Sequence, residues 1–144
     1  MQVRDVMTAG VRVAEPDEKL PHAAKKMRMQ DIGALPVVEN RKLVGMVTDR
    51  DFVTRAIGAN KDITTTEVRD IMSDDCFWCT ENEDLGDAVR IMEQNKVRRL
   101  PVMNDNKDIV GMLSLEDVAV HAPASLTGEV LKAVASAKKE IAAS

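Results

Sequence analysis

Apolar residues fall at Leu20, Ala23, Ala24 and Met27, and again at Leu85, Ala88, Val89 and Met92. The spacing i, i+3, i+4, i+7 puts each set on one stripe of an α-helix. Asp17 and Asn82 precede these stripes as candidate N-caps, and Pro21 lies near the first turn, where proline costs least. A short extended stretch leads into each helix, residues 11–14 and 76–80. Two apolar runs follow each one, 35–38 then 43–47, and 100–103 then 109–113. Between them lie Glu39-Asn40-Arg41 and Asn104-Asp105-Asn106-Lys107, which suit tight hairpins. A second helix is predicted to begin at Thr48 and at Ser114. The order is β-α-β-β-α, twice.

The two halves are copies. Val3-Arg4-Asp5-Val6-Met7 returns as Val68-Arg69-Asp70-Ile71-Met72, and Leu35-Pro36-Val37 returns as Leu100-Pro101-Val102, both 65 residues on. Gly45-Met46 returns as Gly111-Met112 at 66, so the second hairpin turn has gained one residue. Register held over such a span marks a duplication. A three-stranded sheet with two helices on one face leaves its other face apolar. The economical solution packs the two repeats about a pseudo-twofold axis. The expected fold is therefore α+β, with a repeat at 1–59, a polar linker at 60–67, a repeat at 68–122 and a C-terminal helix at 123–144. In that last helix Leu126, Val130, Leu131, Val134 and Ile141 form one stripe ending at Lys138-Lys139. Its polar face lacks the dense cations of a membrane binder, so it is expected on its own domain or a second subunit.

Composition narrows the partners. A 144-residue chain that is 44% hydrophobic and 31% charged reads as soluble and globular. No apolar run approaches the roughly 18 residues of a membrane span, and Met1-Gln2-Val3-Arg4-Asp5 shows no signal-peptide pattern. A cytoplasmic protein without a membrane partner is expected. The net charge of −4, one Trp, two Phe and no Tyr argue against a nucleic-acid partner.

One motif carries candidate chemistry. Gly45-x-x-Thr48-x-x-Asp51 recurs as Gly111-x-x-Ser114-x-x-Asp117. A hydroxyl at the N-cap with an acid at N3 is a capping box. Capping boxes favour Glu or Gln at N3, however, and both copies carry Asp while their intervening residues have diverged. A short carboxylate there can accept both hydroxyls of a ribose, beside free N–H groups that favour phosphate. The glycine would let a backbone approach closely. Cap and ligand site remain open together. Cys76-Phe77-Trp78-Cys79 could suggest a redox pair or half a zinc site, but it falls on an extended stretch, where i and i+3 face opposite sides. His22 and His121 fall on other elements. Buried thiols are the expectation, with metal binding by Cys76 and Cys79 the alternative. No phosphate loop, nucleophile elbow or histidine metal motif is present, so no enzyme activity and no cofactor are expected.

The series VRDVM…DIGALPVVE…LVGMVTDRD and VRDIM…KVRRLPV…IVGMLSLED resembles a tandem pair of cystathionine-β-synthase (CBS) domains, similar to small bacterial stand-alone pairs. The resemblance covers residues 1 to about 122. It implies a non-catalytic, energy-sensing regulatory module that commonly dimerises. Its clefts between repeats would bind AMP, ADP, ATP or S-adenosylmethionine. Thr48, Asp51, Ser114 and Asp117 would hold the ribose and phosphate side. Val11, Val13, Phe77, Cys79 and the neighbourhood of Leu35-Pro36 and Leu100-Pro101 would line the adenine. Arg98 and Arg99 are the better phosphate candidates, because a guanidinium fork matches phosphate oxygens. Gly33-Ala34 stands in their place in the first repeat, and Arg50 has Glu116 as its counterpart. Two unequal sites are expected, the first with the closer motif, the second with more phosphate-binding charge. A homodimer and an unidentified protein partner complete the reading. Its rivals are a redox- or zinc-responsive thiol module and a ligand-free dimerisation scaffold.

Overall fold

The structure is a computed structural model that describes residues 1–74 and 76–143, with side chains as far as residue 136. It divides into two compact units. A central unit comprises Val11–Cys76, and a terminal unit comprises Met1–Gly10 with Phe77–Ser144. These units cut across the sequence repeats. The first VRDVM segment lies with the second repeat, and VRDIM lies with the first.

In the central unit, α1 (Leu20–Gln30) is followed by β2 (Ala34–Glu39), β3 (Lys42–Thr48) and a short α2 (Asp49–Asp51) that runs on as a π-helical stretch, Phe52–Ile57. The stripe of α1 buries Leu20, Ala23 and Met27. Strands β2 and β3 pair antiparallel from Ala34↔Thr48 to Glu39↔Lys42. Asn40 and Arg41 close this hairpin at φ 52° and 66°, the two positive values that a two-residue turn matching the strand twist requires. Ala14 adds to β2 in parallel, and Ser73 adds to β3 antiparallel.

The terminal unit repeats that order, with two-residue strands where the central unit has isolated bridges. Its sheet runs β1 (Thr8–Ala9), β6 (Ile109–Ser114), β5 (Arg99–Met103), β4 (Cys79–Thr80). Helices α3 (Leu85–Asn95) and α4 (Leu115–His121) complete the repeat, and α5 (Thr127–Ala143) follows. In both units the VRD segment forms a 3₁₀ turn closed by its own aspartate: Asp5 accepts from the Gln2 N–H at 2.8 Å, and Asp70 from the Glu67 N–H at 3.0 Å. The valines of these turns, Val3 and Val68, are fully buried.

Two helix starts differ from expectation. Helix α1 is preceded by Lys19 rather than capped by Asp17, and the Leu20 N–H donates to the Thr66 carbonyl at 3.1 Å. The interrepeat segment thus satisfies a donor that a cap would otherwise serve. Helix α3 is capped by Asp84, whose carboxylate accepts from the Gly86 N–H at 3.0 Å, while Asn82 instead bonds Asp105 at 3.2 Å.

The last helix packs on its own unit. Val130 and Ala133 join the terminal core, with Leu126 and Val134 against it. Leu131 is 64% exposed and so lies off the packed face, whereas Ile141, Lys138 and Lys139 carry side chains outside the described residues. Among the described residues no helix is long and apolar enough to cross a membrane.

Candidate functional site

Each unit places its motif where the second hairpin strand hands over to the following helix. In the central unit Thr48 ends β3 and caps α2. The Asp51 N–H donates to Thr48 Oγ1 at 3.2 Å, and the Thr48 N–H donates to Asp51 Oδ2 at 2.9 Å. The capping box is therefore formed, with aspartate at N3. Arg55 Nε lies 3.6 Å from Asp51 Oδ1. In the terminal unit the Asp117 N–H donates to Ser114 Oγ at 3.1 Å, and Asp117 Oδ2 accepts from the Thr8 hydroxyl at 3.2 Å. Thr8 went unnoticed in the sequence. The signal existed, because Met7-Thr8 and Met72-Ser73 put a hydroxyl residue after the same repeated segment.

The motif glycines serve the fold. A Cβ on Gly45 would stand 2.6 Å from the Ser73 carbonyl oxygen and 3.0 Å from Met72 Sδ. One on Gly111 would stand 2.6 Å from the Thr8 oxygen and 3.0 Å from Met7 Sδ. The backbone that approaches closely at each glycine is therefore the neighbouring extended segment of the same unit.

The residue entering the hairpin is tied to the helix start in both units. The Asp49 N–H donates to the Gly33 carbonyl and the Leu115 N–H to the Arg98 carbonyl, each at 2.9 Å. Positions 33 and 98 therefore correspond, as do 50 and 116. Arg98 Nη2 lies 2.6 Å from Glu116 Oε1. Burial raises the Glu116 carboxyl pKa, but its own backbone N–H and the charges of Arg98 and Arg99 outweigh this and hold it below the ordinary value. Arg50 is exposed beside Asp49, whose carboxylate accepts from the Arg50 N–H at 2.8 Å.

The expected adenine-lining residues divide by burial. Leu35 and Leu100 are fully enclosed in the two cores, and Pro36 and Pro101 are buried beside them. Val11 and Val13 are half-buried, next to Ala14 on the edge of β2, and Phe77 is 36% exposed. Cys79 is buried in β4 and Cys76 is half-buried, both as free thiols. Burial pushes the Cys76 thiol up to about 11. Burial and the Glu83 charge push Cys79 up to about 12. Among the described residues no three His, Cys, Asp or Glu side chains cluster as a metal site.

The CBS domain family model matches residues 3–58 and 68–123, one match in each repeat. The chain belongs to the CBS domain family. As a CBS pair it is 35% identical to Hypoxic response protein 1 of Mycobacterium tuberculosis over 134 residues, covering 92% of this chain and 93% of that protein. It is 38% identical to the CBS domain-containing protein YhcV of Bacillus subtilis over 119 residues, covering 83% and 84%. Among solved structures, Hypoxic Response Protein I with two coordinated zinc ions matches at TM-score 0.74 and 35% identity, covering 85% of this chain and all of that one. The CBS domain pair of protein MJ0100, in complex with 5′-methylthioadenosine and S-adenosyl-L-methionine, matches at TM-score 0.74 and 26% identity, covering 83% and 94%. The CBS-pair fold is thus matched over 83–85% of the chain by these two structures.

Proposed function

We propose that this CBS pair is a non-catalytic regulatory module that binds adenine nucleotides, AMP, ADP, ATP or S-adenosylmethionine, with one site on each unit. The observation that carries this reading is the duplicated placement of a hydroxyl–aspartate pair at the end of the second hairpin strand. Beside it in each unit stands an arginine, at position 50 in one and 98 in the other. An aspartate can hold ribose hydroxyls by charge-assisted bonds, and an arginine can hold a phosphate. The ligands of the MJ0100 pair support the adenosine class. The formed capping box does not compete with this role, since a carboxylate has about four lone-pair sites. We further propose that the chain acts as a homodimer and that occupancy changes its affinity for a protein partner, which requires unequal ligand affinity for two states.

Calorimetric titration with AMP, ADP, ATP and S-adenosylmethionine tests the reading. Saturable binding of at least one supports it, and no binding of any at millimolar concentration removes it. The zinc ions of the Hypoxic Response Protein I structure are compatible with the thiol module, which stands as the second reading. Thiols pushed up to about 11 and 12 are poor thiolate donors near neutral pH. Stoichiometric zinc uptake abolished by Cys76→Ser would move that reading ahead.

A further inference from the structure

The two units differ at one pair of positions that the fold holds together. In the terminal unit Arg98 and Glu116 form an ion pair at 2.6 Å, and Arg99 also acts on the Glu116 charge. In the central unit the same positions hold Gly33, without a side chain, and Arg50. The Arg98 fork is only partly used. Glu116 accepts from Nη2, while Nε is buried with no hydrogen-bond partner among the described residues. A carboxylate bound to one donor of a guanidinium leaves the pairing incomplete, and two phosphate oxygens can engage Nε and Nη together.

We infer that Glu116 is a specificity-determining residue that occupies the phosphate position of the terminal unit, so that this site favours adenosine ligands without an anionic 5′ group. The inference rests on the nucleotide reading above and sharpens it. A phosphorylated ligand must exchange one anion for another at Arg98 and meet the displaced Glu116 carboxylate at close range. An uncharged 5′ end leaves the ion pair in place. Glu116 has room to be displaced, since its side chain is 56% exposed. The central unit carries Arg50 where Glu116 stands, so no acid occupies that position there.

The test is titration of the full chain, at low ionic strength, with AMP and with 5′-methylthioadenosine. Glu116→Gln keeps the shape and removes the charge. It should tighten AMP at one site about two- to fivefold, the range set by a solvent-screened pair, and leave 5′-methylthioadenosine unchanged. In an Arg98→Gln background the same substitution should give a smaller gain for AMP, because the pair is already broken and only the repulsion of the Glu116 carboxylate is left to remove. An AMP affinity that is unchanged or weakened by Glu116→Gln overturns the role of Glu116 while leaving the nucleotide reading intact. A gain shared equally by both ligands overturns it too. Failure of both ligands to bind either protein overturns the inference, whereas the nucleotide reading falls only if ADP, ATP and S-adenosylmethionine fail as well.

Discussion

At the scale of single residues, Gly45 and Gly111 are set by the strand beside them rather than by a ligand. The Ser73 and Thr8 carbonyl oxygens each stand 2.6 Å from where a Cβ would lie, and backbone cannot swing aside as a side chain can. Gly45→Ala should therefore destabilise the chain by about 1–3 kcal/mol, as overpacking does, read from urea unfolding. An unchanged midpoint would remove the steric account. The cysteines make a second prediction. A thiol whose folded pKa is raised stabilises the fold below its unfolded value near 9, and that contribution is lost as pH rises through the folded values of about 11 and 12. Chain stability should fall over that alkaline window, less so for Cys79→Ala than for the parent. Alkylation of Cys79 at pH 8 should require unfolding. The residue-level chemistry was legible where it was repeated, as in Thr48 with Asp51. It was hidden where the partner came from far along the chain, as with Thr8 and Asp117, 109 residues apart.

At the scale of elements, periodicity located the helices, and tertiary contacts moved their ends. Leu20, Ala23 and Met27, and in the second repeat Leu85, Ala88, Val89 and Met92, are buried as the stripe requires, while Ala24, the counterpart of Val89, is half-buried. Asp17 was a poor guide to the start of α1, because the Thr66 carbonyl takes the donor that a cap would serve. Leu131 was misplaced for a related reason. The face of α5 is chosen by Val130 and Ala133 against the core, and Leu131 points away from both. Helix α5 also meets α3 through a pair of acids. The Glu93 carboxyl shares a hydrogen bond with Glu129, which raises its pKa, aided by burial and by the Glu129 charge. A raised carboxyl pKa stabilises the folded form below the unfolded value and loses that contribution as pH rises through the folded value. Docking of α5 should therefore tighten on acidification, and Glu93→Gln should flatten this dependence. Amide exchange across residues 127–136, followed against pH, checks both. The ends of α1 and α3 offer a simpler change. Asp31 and Lys96 close them in the left-handed conformation at φ 52° and 56°, where glycine is less strained. Lys96→Gly should raise stability by about 0.5–1 kcal/mol, and a loss would contradict this.

At the scale of the whole molecule, the duplication was visible at once, but the spatial grouping was not. Val3-Arg4-Asp5-Val6-Met7 and Val68-Arg69-Asp70-Ile71-Met72 are nearly the same sequence, so neither declares which hairpin it will join. The structure places the first with β6 and the second with β3. Each core consequently draws on both sequence repeats, with Val3 and Val6 of the first joining one and Val68 and Ile71 of the second joining the other. Family membership follows from both repeats matching the CBS domain. The central claim is that the hydroxyl–aspartate motif holds a ribose as well as a helix start, and Asp51→Glu separates the two. Glutamate fits a capping box at N3 but moves the carboxylate away from a ribose. AMP titration of the parent chain and of Asp51→Glu, with the melting temperature of each, is the deciding measurement. The account predicts an unchanged melting temperature and binding weakened about tenfold or more at that site, the loss of charge-assisted bonds worth about 1.5–3 kcal/mol. Unchanged AMP affinity would contradict it and leave the motif a helix cap alone.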